Sequence, residues 1–312
     1  MRRGLKMKVI KLALIIFLFL ASCAWSDEIS DKVDDLFMKA SSGEVQFRDL
    51  VEPSKEELIE MGEQAVGQLI TKLATEDARE RHTLEAIFKG IGEPAVPYLI
   101  GALQTENLYQ LRLASICLGK IGHSDGTEPV MELFDHYNHT VRSSAATAVG
   151  NIGDTIAVEA LIVLLSDSTE TVRKSASVAL GKIGHPNAID PLIATLSDPH
   201  YSVRYSAEGS LVKIGEESGD NLLERTEYLD KLALYHTVAV WQKLKYSPAR
   251  KTLEKYLKSP DNYLRGFSLL ALAEIDSGRA KKHIRKIQDK ENDLFVLSCM
   301  KKAGEIISKD DE

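Results

Sequence analysis

The stretch VRKSASVALGKIG, residues 172–184, occurs in three closely related versions at one fixed interval. VRSSAATAVGNIG occupies 141–153 and VRYSAEGSLVKIG occupies 203–215, so neighbouring copies lie 31 residues apart. An active site needs its residues once, whereas a structure assembled by stacking one unit needs its packing residues in every copy. A constant period of this length predicts a solenoid, in which each repeat buries its apolar face against the next.

The repeat extends beyond these copies, and its pattern is that of two helices. Counted back from the closing glycine, positions −8 and −5 carry small residues, and positions −4 and −1 carry larger aliphatic residues. Offsets of three and four define one helical stripe, so the small residues are expected to allow close approach of the neighbouring repeat. The closing glycines are Gly62, Gly92, Gly122, Gly153, Gly184, Gly215 and Gly304.

Polar residues and prolines predict where the helices begin. Asp167 and Asp198 are expected to cap the second helices of their repeats, with Pro199 at the first helical position, where a missing N–H costs nothing. Ser54 and Glu57 have the spacing of a capping box, which predicts that the first repeat begins at Ser54. The closing glycine then supplies the left-handed residue that ends each second helix.

Helix pairs in which VR opens the second helix and LGKIG closes it resemble HEAT repeats, in the short form found in phycobilisome lyases. The resemblance is close over 93–215 and looser over 54–92. It implies an all-α, right-handed α-solenoid (superhelix) of about eight short HEAT-like helix pairs. The expected division is into regular repeats over 54–215, a degenerate repeat over 216–245, C-terminal repeats over 246–306 and a polar tail over 307–312.

The first residues have the features of an export signal. Five basic residues and no acid precede the ten-residue apolar run LALIIFLFLA, which is shorter than the roughly 20 residues that span a bilayer. LASC, residues 20–23, resembles the lipobox of bacterial lipoproteins. That resemblance implies a signal peptide over 1–22, lipidation of Cys23, and a linker with a short helix over 23–53.

The lipobox also implies a location. The chain is expected to be exported and lipid-anchored to the bacterial envelope. In a Gram-negative cell the expected site is the outer membrane, facing the periplasm, because Ala24 stands where the family uses aspartate for inner-membrane retention. An ordinary signal peptide cut near Ala24 or Ser26, without a lipid, is the alternative.

Charge and cysteine content exclude two classes of interaction. Without residues 1–22 the chain has 34 Lys+Arg against 46 Asp+Glu, a net charge of −12, so no nucleic-acid partner is expected. Cys117 and Cys299 share one register position six repeats apart, which places them about 50–60 Å from each other. Disulfide formation needs Cα atoms within about 7 Å, so both thiols are expected to be unpaired and buried.

One arginine recurs at position −11 of the repeat, and aspartates recur in the turn before the second helix. In the HEAT family such residues form a ladder along the stack, and the resemblance implies the same pairing here. A row of cations facing an acidic ligand is the alternative, but charge compensation between periodic Arg and periodic Asp favours the structural ladder. The residues concerned are Arg81, Arg142, Arg173, Arg204, Arg265, Asp167 and Asp198.

Two further sets of residues are candidate contacts for a protein partner. Lysines at position −2 either form a solvated face or line the inner surface of the superhelix. The degenerate repeat lacks the Arg and the IG, and its aromatic residues either fill a wider core or act as anchors for a partner. The two sets are Lys120, Lys182 and Lys213, and Tyr228, Tyr235 and Trp241.

No constellation of catalytic residues is present in the sequence, and no cofactor is expected. His136 and His139, beside Asp135, lack a third ligand at zinc-like spacing, so no metal site is expected either. These patterns favour a non-catalytic scaffold that binds another protein on its concave helix surface. The alternatives are a lyase-like HEAT-repeat enzyme or small-ligand binder, and a structural subunit of an envelope complex.

Overall fold

The computed structural model describes residues 27–310, with side chains over 27–308, and within this range every regular element is a helix. The chain divides into two compact bodies between Glu132 and Leu133. The described helices of the N-terminal body are α1 (27–41), α2 (Val51–Met61), α3 (Glu63–Ile70), α4 (Ala78–Ile91), α5 (Val96–Gly101), α6 (Leu108–Ile121) and α7 (Thr127–Met131).

The C-terminal body contains eleven helices among the described residues. They are α8 (His139–Ile152), α9 (Val158–Leu164), α10 (Glu170–Ile183), α11 (Ile189–Thr195), α12 (Tyr201–Ile214), α13 (Glu216–Arg225), α14 (Lys231–Leu244), α15 (Arg250–Tyr256), α16 (Asn262–Ile275), α17 (Ser277–Ile287) and α18 (Leu294–Asp310).

Short and long helices alternate along the chain from α3 to α18, which gives eight pairs. The first helix of each pair has 5 to 11 residues and the second has 14, or 17 in the case of α18. Several first helices begin with a single 3-10 turn, as at Pro186–Ala188 before α11. The prediction of about eight repeats, each made of two helices, is confirmed.

The second helices stack in sequence order within the C-terminal body. Helix α10 packs on α8 and α12, and contacts continue from α12 to α14, α16 and α18. Val172, which opens the quoted stretch, and Leu180 at its position −4 are fully buried in this stack. Burying one such side chain contributes about 1.5–3 kcal/mol, so the periodic stripe carries the fold.

The closest approach between neighbouring second helices occurs at glycine. A Cβ added to Gly150 would lie 2.5 Å from Cα of Ala179, and one added to Gly181 would lie 2.6 Å from Cα of Ser210. Ala179 and Ser210 occupy position −5, so the prediction that small residues there permit close packing is confirmed. Their contact partner, a glycine at position −3 of the preceding repeat, was not predicted.

The helix starts differ from the predicted ones. Helices α10 and α12 begin at Glu170 and Tyr201, and Asp167 and Asp198 lie in the preceding turns. Their carboxylates accept hydrogen bonds from the backbone N–H of Thr169 (2.7 Å) and His200 (2.8 Å), so they shape the turn and do not cap the helix. The predicted N-caps, with Pro199 as first helical residue, are therefore wrong.

Two further boundaries need correction, whereas the helix ends mostly agree. Helix α2 begins at Val51 and Ser54 is buried inside it, so the capping box predicted at Ser54 is wrong. Gly304 lies within α18 and ends no helix. Left-handed glycines do end α6, α8 and α10, as predicted, with φ of 77°, 81° and 71° at Gly122, Gly153 and Gly184.

Helix α1 belongs to the packed N-terminal body. Its residues Val33 and Phe37 are buried, and its Asp34 carboxylate accepts from Gln68 Nε2 at 2.9 Å and pairs with Lys72 Nζ at 2.7 Å. Cys23, the predicted lipidation site, lies outside the described residues. None of the described helices has the length and apolarity needed to cross a bilayer.

Candidate functional site

The ladder predicted from the repeat is present in the regular part of the C-terminal body. Arg142 donates through Nε and Nη2 to the two oxygens of Asp167 (2.7 and 2.9 Å), which lies 25 residues further on. Arg173 binds Asp198 in the same two-point manner (2.7 and 3.1 Å). The side chains of the four residues are between 8% and 13% exposed. Each arginine therefore ties one repeat to the next.

Each ladder arginine also binds the turn before its own helix. Arg173 Nη1 donates to the backbone oxygen of Asp167 at 2.9 Å, and Arg142 Nη1 donates to that of His136 at 2.9 Å. Burial alone would raise the pKa of Asp198, but hydrogen bonds from Arg173 and from the His200 N–H outweigh it, so this pKa lies below its ordinary value. A carboxylate held in this way stays ionised at neutral pH.

The ladder is irregular after Asp198. Arg204 Nη1 donates to the backbone oxygens of Asp198 (2.7 Å) and Pro199 (3.1 Å), as its counterparts do in their own turns. Leu229 stands 25 residues beyond Arg204, where the two preceding repeats have aspartate. Within the described range, Arg204 makes no ion pair, and its Nε donates a hydrogen bond to His236 Nε2 at 3.4 Å.

In helix α14 a tyrosine takes the place of the arginine. The hydroxyl of Tyr235 donates to Asp261 Oδ1 at 2.8 Å, and Lys231 Nζ binds Asp261 Oδ2 at 2.5 Å. The ladder resumes in α16, where Arg265 Nη2 contacts Glu291 at 3.2 Å. In the N-terminal body, Arg81 binds the backbone oxygen of Glu76 and has no carboxylate partner among the described residues.

A buried carboxylate lies between α12 and α14. Glu208 is 4% exposed, and its oxygens bind His236 Nδ1 (2.5 Å) and Lys243 Nζ (2.6 Å). Burial would raise the pKa of Glu208, but the hydrogen bonds from His236 and Lys243 outweigh it and hold the pKa below its ordinary value. The charge of Glu208 is thus compensated from within α14.

Aromatic side chains form two groups of contacting rings on the second helices of the same region. Ring centroids are 5.9 Å apart for Tyr201 and Tyr205, 5.6 Å for Tyr235 and Phe267, and 5.3 Å for Phe267 and Phe295. Tyr201 is 63% exposed and Tyr205 is 53% exposed. We call the two groups together the aromatic ridge; its members are Tyr201, Tyr205, Tyr235, Tyr263, Phe267 and Phe295.

A cleft of about 320 Å³ opens within the ridge, between α12 and α14. Its polar groups come from Arg204, Glu208, His236 and Gln242. Its apolar walls come from Tyr201, Tyr205, Leu232, Tyr235, Ala239 and Phe267. A concave, mostly apolar site with a few converging polar groups is the usual form of a binding site.

The other residues predicted as partner contacts lie elsewhere. Trp241 is fully buried and donates from Nε1 to the backbone oxygen of Gly219 at 3.3 Å, so its prediction as a partner anchor is wrong. The alternative, that this aromatic side chain fills the core, is correct for Trp241. Tyr228 is 87% exposed in the turn before α14, away from the ridge.

The three lysines of the predicted stripe are all exposed. Lys120 Nζ binds Glu85 at 2.6 Å and Lys182 Nζ binds Asn151 at 2.5 Å, each in the preceding second helix. Lys213 makes no hydrogen bond or ion pair in the described part of the chain. The stripe therefore serves mainly to join adjacent repeats.

Sequence reasoning missed most of the ridge. Tyr201, Tyr205, Tyr263 and Phe267 lie at helix positions 1, 5, 2 and 6, outside the buried stripe that the repeat pattern reveals. It also missed a basic cleft between α15 and α17, lined by Lys251, Lys255, Lys258, Arg279, Lys282 and Lys286 with Glu254. A comparison of the residues at the exposed helix positions of successive repeats would have found both the ridge and the basic cleft.

No group of three metal-binding side chains comes together in the described range. His136 Nδ1 accepts from the backbone N–H of Asn138 at 3.1 Å, and its ring stacks on Tyr137 with centroids 4.5 Å apart. His136 thus has a structural role in the turn before α8. Cys117 and Cys299 are both buried and unpaired thiols, and burial raises the pKa of each.

Comparisons with known proteins identify the repeat. The family model for HEAT repeats matches three overlapping stretches, residues 96–179, 127–212 and 158–228. A solved structure of a Kap121p mutant is 14% identical with a TM-score of 0.59, covering 91% of this chain and 38% of that one. The Kap95:Nup1 complex is 15% identical with a TM-score of 0.53, covering 85% and 41%. Both likenesses show the fold, a helical solenoid, and this chain spans less than half of either protein.

A weaker likeness involves the complex of CpcE and CpcF of phycocyanin lyase from Nostoc sp. PCC7120. It is 20% identical with a TM-score of 0.41, covering 76% of this chain and 94% of that one. A similarity at that level does not bear on activity. No curated protein matches the chain by sequence.

Proposed function

We propose, from the premise that this chain is a HEAT-repeat protein, that it is a non-catalytic scaffold and binds another protein along the aromatic ridge. The observation that carries the proposal is the exposure of Tyr201 and Tyr205 beside the cleft. Large aromatic side chains are enriched among the residues that dominate binding energy at protein interfaces. A row of them held on stacked helices is a preorganised surface, which lowers the entropic cost of binding.

The polar groups around the ridge are arranged for binding and not for turnover. Glu208 is occupied by His236 and Lys243, and Asp261 is occupied by Tyr235 and Lys231. No serine, threonine, cysteine or lysine is among the residues that line the cleft, and its histidine, His236, is bound to Glu208. These contacts support a rigid recognition surface.

A crosslinking pull-down from membranes of the native organism tests the proposal. Captured proteins are compared between the wild-type chain and a double variant, Tyr201→Ala with Tyr205→Ala. We expect the double variant to lose its partner, and the matched control Tyr228→Ala, which removes an exposed tyrosine outside the ridge, to keep it. Unchanged capture by the double variant, with folding verified by circular dichroism, would refute the proposal.

The same purification separates the alternatives. Co-purification in fixed stoichiometry that survives high salt would identify a structural subunit of an envelope complex. A coloured or small-molecule ligand retained through purification would favour a lyase-like or ligand-binding role. A transient scaffold gives neither result.

We further propose that the mature chain is anchored to the bacterial envelope through a lipid on Cys23. The lipobox resemblance of residues 20–23 supports this, together with the five basic residues and apolar run before it. Incorporation of labelled palmitate by the wild type, and its loss in Cys23→Ser, is the expected result. A mature N-terminus near Ala24 or Ser26, without label, would instead show an ordinary signal peptide.

A further inference from the structure

The ladder contains one arginine in the C-terminal body whose carboxylate is missing. Arg142, Arg173 and Arg265 each contact a carboxylate from the next turn. Arg204 has the same helix position and the same bonds to its own turn. Leu229 stands 25 residues on, where Arg142 and Arg173 have aspartate, and Asp230 stands at the 26-residue spacing of Arg265 and Glu291. The guanidinium is therefore held in the geometry of a ladder contact without a carboxylate, and its Nε donates to His236 Nε2 at 3.4 Å instead.

The acids nearest to Arg204 are committed elsewhere. Asp230 caps α14 by accepting a hydrogen bond from the Ala233 N–H at 2.9 Å, and it forms no ion pair with Arg204 in the described residues. Burial would raise the pKa of Asp230, but that hydrogen bond and the nearby charge of Arg204 lower it. Glu208 is bound by His236 and Lys243. Neither of these carboxylates takes the position that Asp198 takes against Arg173.

The unoccupied side of Arg204 lines the cleft of the aromatic ridge. Tyr201 covers the guanidinium, with its ring centroid 5.7 Å from Cζ, and Tyr205 and Phe267 form apolar walls. Lys243 lies 5.2 Å from the Tyr205 ring and compensates the charge of Glu208, which leaves Arg204 as the cation of the cleft lining without a carboxylate partner. A partly buried guanidinium binds a carboxylate through two parallel hydrogen bonds, and low polarity around it strengthens that bond.

We infer that the cleft receives an acidic side chain of the protein partner, Asp or Glu, next to an aromatic or large aliphatic residue. The partner's carboxylate binds Arg204 through Nη2, and through Nε in place of the 3.4 Å contact with His236, which completes the ladder. The neighbouring apolar side chain packs between Tyr205 and Phe267. This inference rests on the proposed function, since it specifies the chemistry of the partner at the ridge. Arg81 also lacks a carboxylate, but it lines no comparable apolar cleft among the described residues.

The test uses the full mature chain and a displayed library of random peptides as probe. Peptides that bind the wild type are sequenced, and one is compared with its Asp→Asn or Glu→Gln version by fluorescence polarisation. We expect enrichment of an acidic residue beside an aromatic or aliphatic one, and a loss of affinity of at least about tenfold when the acid is neutralised.

Variants assign this loss to Arg204. In Arg204→Gln the acidic and neutralised peptides are expected to bind equally, whereas Lys213→Gln, the same charge change on the exposed end of α12, keeps the full difference. Arg204→Lys retains the charge without the two-point geometry, and an intermediate difference is expected. Thermal melting verifies that each variant is folded.

The other outcomes separate this inference from the proposed function. Peptides that need Tyr205 but no acidic residue would overturn the inference and leave the scaffold proposal intact. A library that yields no Tyr205-dependent peptide would overturn both. Full competition by N-acetylglutamate, at the concentration of the peptide itself, would show a free carboxylic acid as the ligand and overturn the assignment to a protein partner.

Discussion

The second helices of the C-terminal body meet in two different kinds of interface. The regular kind joins α8 to α10 and α10 to α12, and the irregular kind joins α12 to α14. In the first, arginine and aspartate close the turn and Gly150 or Gly181 allows the helices to approach. In the second, Arg204 has no carboxylate and aromatic side chains line a cleft. The regular interfaces pair their arginines with aspartates, whereas the irregular one leaves Arg204 without a carboxylate.

This difference indicates which side chains of a repeat protein are fixed by stacking and which are not. In the regular repeats a recurring side chain has a recurring stacking partner, as Arg173 has in Asp198, whereas Arg204 has the same position without a carboxylate. A side chain that departs from the period, as Tyr201 and Tyr205 do, is free of that constraint. The irregular interface is nevertheless packed, and its stability can be measured against that of the regular one.

The largest effect is expected at the core of the irregular repeat. Trp241→Ala removes a fully buried ring and the hydrogen bond to Gly219, and should destabilise the fold by about 3–5 kcal/mol. Urea unfolding followed by circular dichroism measures this loss. Tyr228→Ala, an exposed aromatic of the same repeat, should stay within about 0.5 kcal/mol of the wild type. Equal effects of the two changes would show that this repeat is not packed as described.

The second effect concerns the regular ladder. Asp198→Asn leaves Arg173 buried without its counter-charge, and should cost about 2–4 kcal/mol. Asp190→Asn breaks an exposed ion pair with Arg225 and should cost about 0–1 kcal/mol. Urea midpoints of the two variants, compared at neutral pH, measure the difference. A loss in Asp198→Asn no greater than that in Asp190→Asn would reduce the ladder to a surface contact.

The sequence predicted the parts of the fold that the period determines. Helix pairs, buried valines and leucines and left-handed glycines follow from a stripe with offsets of three and four, and all are present. The pairing of Arg173 with Asp198 is also periodic and was expected from the family resemblance. The helix starts were misplaced because Asp198 has the side chain of a helix cap but is held two residues earlier by its bond to arginine.

The candidate site was harder to predict because it arises where the period fails. Tyr201 and Tyr205 occupy helix positions that carry polar residues in other repeats, such as Glu170 and Lys174 in α10. Buried Trp241 donates to the backbone oxygen of Gly219, and the missing side chain of Gly219 leaves room for the Tyr246 ring. A contact of this kind joins two helices, so the spacing of residues within a single helix does not reveal it.

The third effect is the change in stability when alanine replaces either of two glycines, both of which lie in the interior of a second helix. Gly181→Ala places a Cβ 2.6 Å from Cα of Ser210, and the overpacking should cost about 1–3 kcal/mol. Gly209→Ala meets no atom within 4 Å and should stabilise α12 by about 0.5–1 kcal/mol. Urea midpoints of the two variants should move in opposite directions. A shift in the same direction would mean that the helices do not approach at Gly181.

The smallest effect is the dependence of the ladder on pH. The pKa of Asp198 lies below its ordinary value because hydrogen bonds from Arg173 and His200 outweigh burial, so its contribution to stability is fully present above the unfolded-state pKa of about 3.9. The contribution is lost as pH falls through the lower, folded-state pKa. The difference in urea midpoint between wild type and Asp198→Asn should therefore be constant from pH 7 to 5 and narrow below about pH 4. The corresponding difference for Asp190→Asn should be small throughout, and an Asp198→Asn difference that persists undiminished at pH 3 would show that the carboxylate charge does not stabilise the regular interface.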